Sequence, residues 1–468
     1  MSERHVAGGG VDRPGSDVRP DRAARLAHER FVADIDAGHA GRDGREIAAG
    51  VAALLTSTAG ERRANTLSLL ASDNTSSAMS RSLLGSDLST RVAEGLPGAR
   101  FFPPGPINAG VDELEATLAH LAKRLFRAGF AEVRPLTTSM ANESVLVALT
   151  RPGDAIMVHA MSSGGNMSYQ AFGIAGRLGL VVHDLPADEW FGIDTERAVA
   201  AIERTRPRLI IVGGGKSLFP VDLTPLAEAA HRVGALVQLD AAHVGPLIAF
   251  GEHPDPFAQG ADLITTGTHK MMGGPVGGLV LTEQPGLHAE LSAVVHPSLL
   301  QTRDPARFAA AAVSLAEMVE FGAGYAAQCV ANARRLAAGL GERGIGVFGA
   351  ERRFTQTHQL FPHLPSTDQT GAAAERARRS GLLVHRSGLP GQTPQSATGM
   401  RLSVQEATRR GMAEAEMDRI ADLLLGAFGA AAITAVRDGV RELLAEFAGV
   451  AYSFDDETSP DGEGGDGR

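Results

Sequence analysis

LVQLDAAH, residues 236–243, and DLITTGTHK, residues 262–270, are short apolar runs that each end in a chemically loaded residue, Asp240 and Lys270. Runs of the same kind recur around them: AIMVHA (155–160), LGLVVHDL (178–185), RLIIVGG (208–214) and GGLVLTE (277–283). Helical stretches such as DTERAVAAIERTR (194–206) separate them, so successive runs must be joined by crossover connections. That pattern predicts an α/β fold with a mainly parallel central sheet. Ligands of such sheets bind at the carboxyl ends of the strands, where both Asp240 and Lys270 stand.

Outward from this core, DELEATLAHLAKRLF (112–126) repeats apolar residues at helical spacing through Leu114, Leu118, Leu121 and Leu125. A helical stretch from about 305 to 340 is followed by GIGVFG, THQLFPHL, GLLVHR and MRLSV interleaved with helices, the pattern of a smaller α+β domain. The expected organisation is a disordered N-terminus (1–22), a helical arm (23–95) and a large α/β domain (96–304). A C-terminal small domain (305–454) and a disordered acidic tail (455–468) complete it. The polar part of the arm, 72–98, reads as a plain connection.

The chain has 468 residues, 44% hydrophobic and 21% charged, enough for a large core and against global disorder. Its net charge of −10 argues against a nucleic-acid partner. No run of apolar residues is long enough to span a membrane, and the N-terminus lacks the apolar core of a secretion signal. The single cysteine, Cys329, cannot form an intrachain disulfide, and a cytoplasmic location is expected. The fifteen histidines form neither H-E-x-x-H nor a Cys/His cluster, so no metal site is expected.

Nearly every basic residue is arginine, because Lys123, Lys216 and Lys270 are the only lysines. Lys123 lies on an amphipathic helix, where a solvated face is the default. Lys216, in IIVGGGKS (210–217), falls short of a phosphate loop because Ile210 stands where that motif needs glycine. Lys270 lies at a strand end in a glycine-rich setting, able to reach an aldehyde cofactor. Pyridoxal 5′-phosphate is held in this way, as a lysine imine, with an acid at its pyridine nitrogen. Asp240 supplies that acid, with His243 three residues on; the plain alternative is a helix-capping aspartate and a packed histidine. Thr137, Thr138 and Ser139 open a helix that carries Asn142, where hydroxyls and free N–H groups suit a phosphate; an ordinary N-cap would look the same.

Together these segments resemble the serine hydroxymethyltransferase family of fold type I (aspartate aminotransferase-like) pyridoxal-phosphate enzymes. LLASDN, VAEGLPGARFF, TSMAN, LDAAHVGPLIAFGEHPDP, TTGTHK, GGPVGGLVLT and GMRLSVQEATRRGM follow in the family's order over roughly residues 65 to 425. The resemblance implies Lys270 as the imine lysine, Asp240 as the pyridinium partner and His243 beside the cofactor's O3′. It also implies Thr137, Thr138, Ser139 and Thr268 as cofactor contacts, Ser72 and Arg401 as binders of the substrate carboxylate, and Glu94 as the proton-handling carboxylate. A homodimer with active sites shared between subunits is implied as well.

Three departures stand out. The family's Arg-Tyr-Tyr is Arg100, Phe101 and Phe102; the ring-stacking histidine is Ser163; and LLQTRDP (299–305) replaces a glycine pair in the partner-subunit phosphate loop. A narrower resemblance accounts for them. EMVEFGAGYAAQCVANA (317–333), FTQTHQ (354–359), QEATRRGM (405–412) and AYSFD (451–455) resemble the L-threonine transaldolases of antibiotic biosynthesis. That resemblance implies retro-aldol cleavage of L-threonine to acetaldehyde and a glycyl carbanion, then capture of a second aldehyde to give a β-hydroxy-α-amino acid. The alternatives are a serine or α-methylserine hydroxymethyltransferase, a threonine aldolase, or a non-catalytic interaction subunit.

Overall fold

The computed structural model describes residues 22–101, 106–393, 395–429 and 431–455. Of the termini expected to be disordered, only Arg22 and Asp455 fall among them; the remainder, and Phe102, lie outside the described residues.

Helices α1 (Arg22–His39) and α2 (Gly44–Asn65) come first. A capping box starts α2: the Asp43 carboxylate accepts from the N–H groups of Arg45 and Glu46, and Glu46 accepts from the Asp43 N–H. No residue of α2 is buried, and Val51, Leu54 and Leu55 on it stay exposed, as do Phe31 and Ile35 on α1. The segment expected as a plain connection carries a further helix, α3 (Ala78–Leu84). Ser77 starts it by accepting from the Ser80 N–H, a local cap that a polar composition conceals.

After α4 (Pro106–Phe126), the chain enters a seven-stranded sheet. Its strands are β1 (Phe130–Glu132), β2 (Ala155–His159), β3 (Val181–Leu185), β4 (Leu209–Gly213), β5 (Leu236–Asp240), β6 (Leu263–Gly267) and β7 (Gly278–Thr282). Across the sheet the order is β1-β7-β6-β5-β4-β2-β3. β3, β2, β4, β5 and β6 are parallel, and β7 and β1 are antiparallel additions at one edge. Side chains alternate between two cores. Ile156, Val158, Leu209 and Ile211 pack with Val145 and Leu146 of α5 (Thr138–Leu149). Met157, Ile210, Val212 and Val237 face α6 (Thr195–Thr205) and α7 (Thr224–Arg232). Burial on both faces is why these strands are almost continuously apolar.

The 38-residue α8 (Pro305–Glu342), about 57 Å long, then links two cores. Phe308, Leu315 and Val330 pack with Leu118 and Phe126 of α4 and with the sheet, whereas Ala333, Leu336 and Leu340 belong to a separate C-terminal cluster. That second unit is an antiparallel sheet of β8 (Gly346–Val347), β9 (Gln359–Leu360), β10 (Pro362–His363), β11 (His385–Ser387) and β12 (Gly399–Ser403). It is covered by α9 (Thr367–Arg379), α10 (Glu414–Phe428) and α11 (Ile433–Glu446). Leu67 and Leu69 of the arm are buried in the same cluster, and Leu67–Ser68 pairs in parallel with Leu382–Leu383. The arm is thus anchored on the C-terminal unit, beside the carboxyl ends of the large sheet.

Candidate active site

In the sheet register Asp240 stands opposite Gly213 on β4 and Thr265 on β6. The loop after β6 carries Thr268 and His269 to Lys270 at the same edge. Asp240 is 1% exposed, and burial raises its carboxyl pKa above the ordinary range. The Lys270 charge opposes that rise, as do the Ala242 N–H at 3.0 Å, the Asn166 amide at 3.2 Å and the nearby Asn142 amide. Burial lowers the Lys270 pKa, Arg401 adds to the lowering, and Asp240 opposes it. No described residue forms a hydrogen bond or ion pair with the Lys270 ammonium, so the amine is available to an aldehyde.

The start of α5 lies beside this pair. Thr137 caps it by accepting from the Met140 N–H at 3.0 Å, which leaves its own O–H free to donate. Thr138 is buried and its hydroxyl has no partner, while Ser139 is exposed. A Cβ on Gly267 would fall 2.4 Å from the Thr138 hydroxyl, so glycine there lets β6 pass close to the helix start. Thr268 donates to the Pro275 carbonyl at 2.6 Å and thereby shapes the turn that presents Lys270.

His243 is fully buried; burial first, then the charges of Lys270 and Arg401, hold its pKa well below the imidazole range. His358 stacks on it with ring centroids 6.3 Å apart and 14° between planes, and burial lowers its own pKa to about 3. His269 falls to about 4, chiefly by burial. All three imidazoles are therefore neutral at neutral pH. Arg401, on β12, donates to the Gly215 carbonyl, and its Nε is buried without a partner. Burial lowers it to about 10.

Two expected residues stand apart within one chain. Ser72 is exposed, and no hydrogen bond joins it to Arg401. Glu94 is half-buried between Ala93 and Gly95, whose carbonyls accept from Arg303, and its carboxylate makes no hydrogen bond with Lys270, Asp240 or Arg401.

Several residues that sequence reasoning passed over are brought to this region. Asn166, on the loop after β2, reaches Asp240; Lys216 lies beside Arg401; and His358 backs His243. Nothing in FTQTHQ marks His358 as facing the site, and the sequence presents Lys216 only as a lysine that falls short of a phosphate loop. Behind Lys270, Asn74 donates to its carbonyl at 2.8 Å and lies 3.0 Å from the Tyr325 hydroxyl, which donates to the Gln405 carbonyl at 3.1 Å. Gln405 in turn donates to the carbonyls of Leu70 and Asp73 at 2.8 and 2.6 Å. The buried Arg409 pairs with Glu317 and donates to the Tyr452 carbonyl.

Pyridoxal phosphate fits these groups on the structure's own terms. Partnerless buried atoms, namely Thr138 Oγ1 and His243 Nδ1, belong to residues around Asp240 and Lys270. Such atoms in a folded interior call for a polar ligand. A family described as serine hydroxymethyltransferase matches residues 48–424. A serine hydroxymethyltransferase from Thermococcus gammatolerans is 36% identical over 403 residues, covering 84% of this chain and 94% of that protein. One from Methanothermobacter thermautotrophicus is 35% identical over 396 residues, covering 84% and 92%. Among solved structures, an L-threonine transaldolase from Pseudomonas fluorescens in its internal aldimine state superposes with a TM-score of 0.81 at 26% identity, covering 89% of this chain and 96% of that one.

Proposed function

Because the chain belongs to the serine hydroxymethyltransferase family and is a pyridoxal-phosphate enzyme, we propose that it is an L-threonine transaldolase, joining a two-carbon glycyl unit to a second aldehyde. The observation that carries this reading is the likeness to the Pseudomonas fluorescens transaldolase over nearly the whole length of both chains. Arg303 supports it. This arginine stands in the segment that replaces the family's glycine pair, and its guanidinium is tied to the Ala93 and Gly95 carbonyls.

When bound, the cofactor supplies an electron sink, its protonated pyridine ring accepting the electron pair released as the Cα–Cβ bond of threonine breaks. Asp240 would hold the proton at the cofactor's pyridine nitrogen. Thr137, Thr138 and Ser139 would hold its phosphate at the start of α5, and Thr268 shapes the loop that presents Lys270. Lys270 would be the amine that holds the cofactor's aldehyde, and its lowered pKa favours the neutral form that such a bond needs. Arg401, with Ser72, would grip the α-carboxylate and so fix the direction of the Cα–Cβ bond. Glu94 would take the β-hydroxyl proton as acetaldehyde leaves and return one to the new β-oxygen, and neutral His243 would neighbour the cofactor.

On this reading Glu94 acts in the active site of the second copy of a homodimer, which its lack of a hydrogen bond to Lys270, Asp240 or Arg401 within one chain supports. The product is a β-hydroxy-α-amino acid made in the cytoplasm for antibiotic biosynthesis. A second reading, serine hydroxymethyltransferase activity, is favoured by the names of the relatives from Thermococcus gammatolerans and Methanothermobacter thermautotrophicus.

The test couples acetaldehyde to a dehydrogenase and compares threonine alone, threonine with a panel of aryl and sugar-derived aldehydes, and serine with tetrahydrofolate. The expected outcome is folate-independent acetaldehyde release that rises with a suitable aldehyde. Robust serine and folate turnover without aldehyde-dependent threonine turnover would replace this reading with the second.

A further inference from the structure

Lys216 leaves the sheet three residues beyond Gly213, the residue paired with Asp240, and so emerges at the edge that carries Lys270. Its backbone N–H approaches the Gly164 carbonyl at 3.4 Å, on the loop that bears Ser163 and Asn166. Its neighbour Gly215 accepts from Arg401. The Lys216 ammonium donates to the Gly388 carbonyl at 2.8 Å and lies 5.0 Å from the centre of the Phe191 ring.

Among the described residues, neither Lys216 nor Arg401 has a carboxylate partner, although they sit close enough for the Arg401 charge to act on Lys216. Burial and that charge lower Lys216 to about 8. His385 stands directly opposite Arg401 in the β11–β12 pairing, a position that places the two side chains on one face. It feels both cations as well. Two half-buried like charges without an acid between them are costly, and one α-carboxylate balances only one of them. The phosphate of the cofactor is provided for at the start of α5.

We propose that Lys216, with His385, forms a second anion subsite beside Arg401, and that it receives a carboxylate or phosphate carried by the acceptor aldehyde. This rests on the transaldolase reading for the identity of the ligand, though not for the existence of the subsite. A simple prop under Gly388 would account for one hydrogen bond. It would not account for placing a cation next to the arginine that the α-carboxylate needs.

The experiment uses the full-length holoenzyme, Lys216→Met and Lys216→Arg. With threonine as donor, succinic semialdehyde is compared with butanal, and glyceraldehyde 3-phosphate with glyceraldehyde. The wild type is expected to favour the anionic member of at least one pair by about tenfold or more in kcat/KM, as a charged hydrogen bond allows. Lys216→Met should lose the preference and Lys216→Arg keep most of it; which pair responds tells carboxylate from phosphate. An unchanged preference in Lys216→Met, or a wild type that favours the neutral aldehyde in both pairs, overturns the acceptor assignment. Calorimetric binding of succinate and of inorganic phosphate, without threonine, needs no turnover. At least one should bind about tenfold more weakly to Lys216→Met, and equal affinity for both anions in the two proteins overturns the subsite itself. Should no aldehyde raise acetaldehyde release, the transaldolase reading falls while calorimetry still decides the subsite.

Discussion

Lys270 is one of three lysines, which makes its role unusually easy to test. Lys270→Ala should abolish the cofactor adduct that borohydride traps on the wild-type chain, read by mass spectrometry of the labelled peptide; an adduct that survives would move the role elsewhere. Lys216 permits a test of sign. Its folded pKa of about 8 lies below the unfolded value near 10.5, so below pH 8 the fold carries the whole penalty of a buried charge, on the order of 3 kcal/mol. Between pH 8 and 10.5 the unfolded chain binds more protons than the native one, and stability rises with pH. The charged neighbours are Arg401 and, when protonated, His385. Lys216→Met is accordingly expected to be more stable than wild type at pH 7, by up to about 3 kcal/mol in denaturant titrations, with the gap closing toward pH 10.

The segments that resemble the transaldolases read as separate strings, yet they meet at the level of elements. Tyr325 and Glu317 come from α8, Gln405 and Arg409 follow β12, and Tyr452 lies in the terminal AYSFD segment. With Asn74 and the arm at Leu70 and Asp73 they form a connected web behind Lys270. The Asp455 carboxylate accepts from the Ala78 and Met79 N–H groups and fastens the last described residues to the start of α3. Arg409→Met would leave Glu317, itself fully buried, without its cation. A loss of roughly 3 to 5 kcal/mol in urea unfolding is expected. Glu317→Gln with Arg409→Met together should cost less than the sum of the two single changes, because neither charge is then stranded.

At the scale of the whole molecule, the apolar face of the arm is the feature a single chain does not use. Phe31, Leu54 and Leu55 are 65%, 66% and 71% exposed, on two helices that precede the large sheet. A surface of that kind suits an interface between copies, and the role proposed for Glu94, at the far end of the arm, needs such an interface. Leu54→Glu with Leu55→Glu should weaken dimerisation at least about a hundredfold, by burying two charges, and yield monomers in sedimentation. Acetaldehyde release should fall with it. A fully active monomer would remove Glu94 from the shared site.

The sequence by itself determined the alternation of apolar runs and helices, and with it the parallel sheet, because strands buried on both faces and their crossover helices have distinct local signatures. It also marked Asp240 and Lys270, since an acid and an amine at neighbouring strand ends are visible as the last residues of their runs. Only the tertiary structure decided that Asn166 completes the Asp240 shell, that His358 lies against His243, and that Lys216 comes close enough to Arg401 to feel its charge. Those neighbours are 74, 115 and 185 residues apart in the chain, and nothing local in a sequence records which loops a sheet will stack over one edge. The arm shows the same division. Its first two helices follow from helical periodicity, whereas α3 does not show in the polar segment that holds it, and Leu67 pairs with Leu382 only because the C-terminal core leaves a strand edge beside the site, a contact that folding alone brings about.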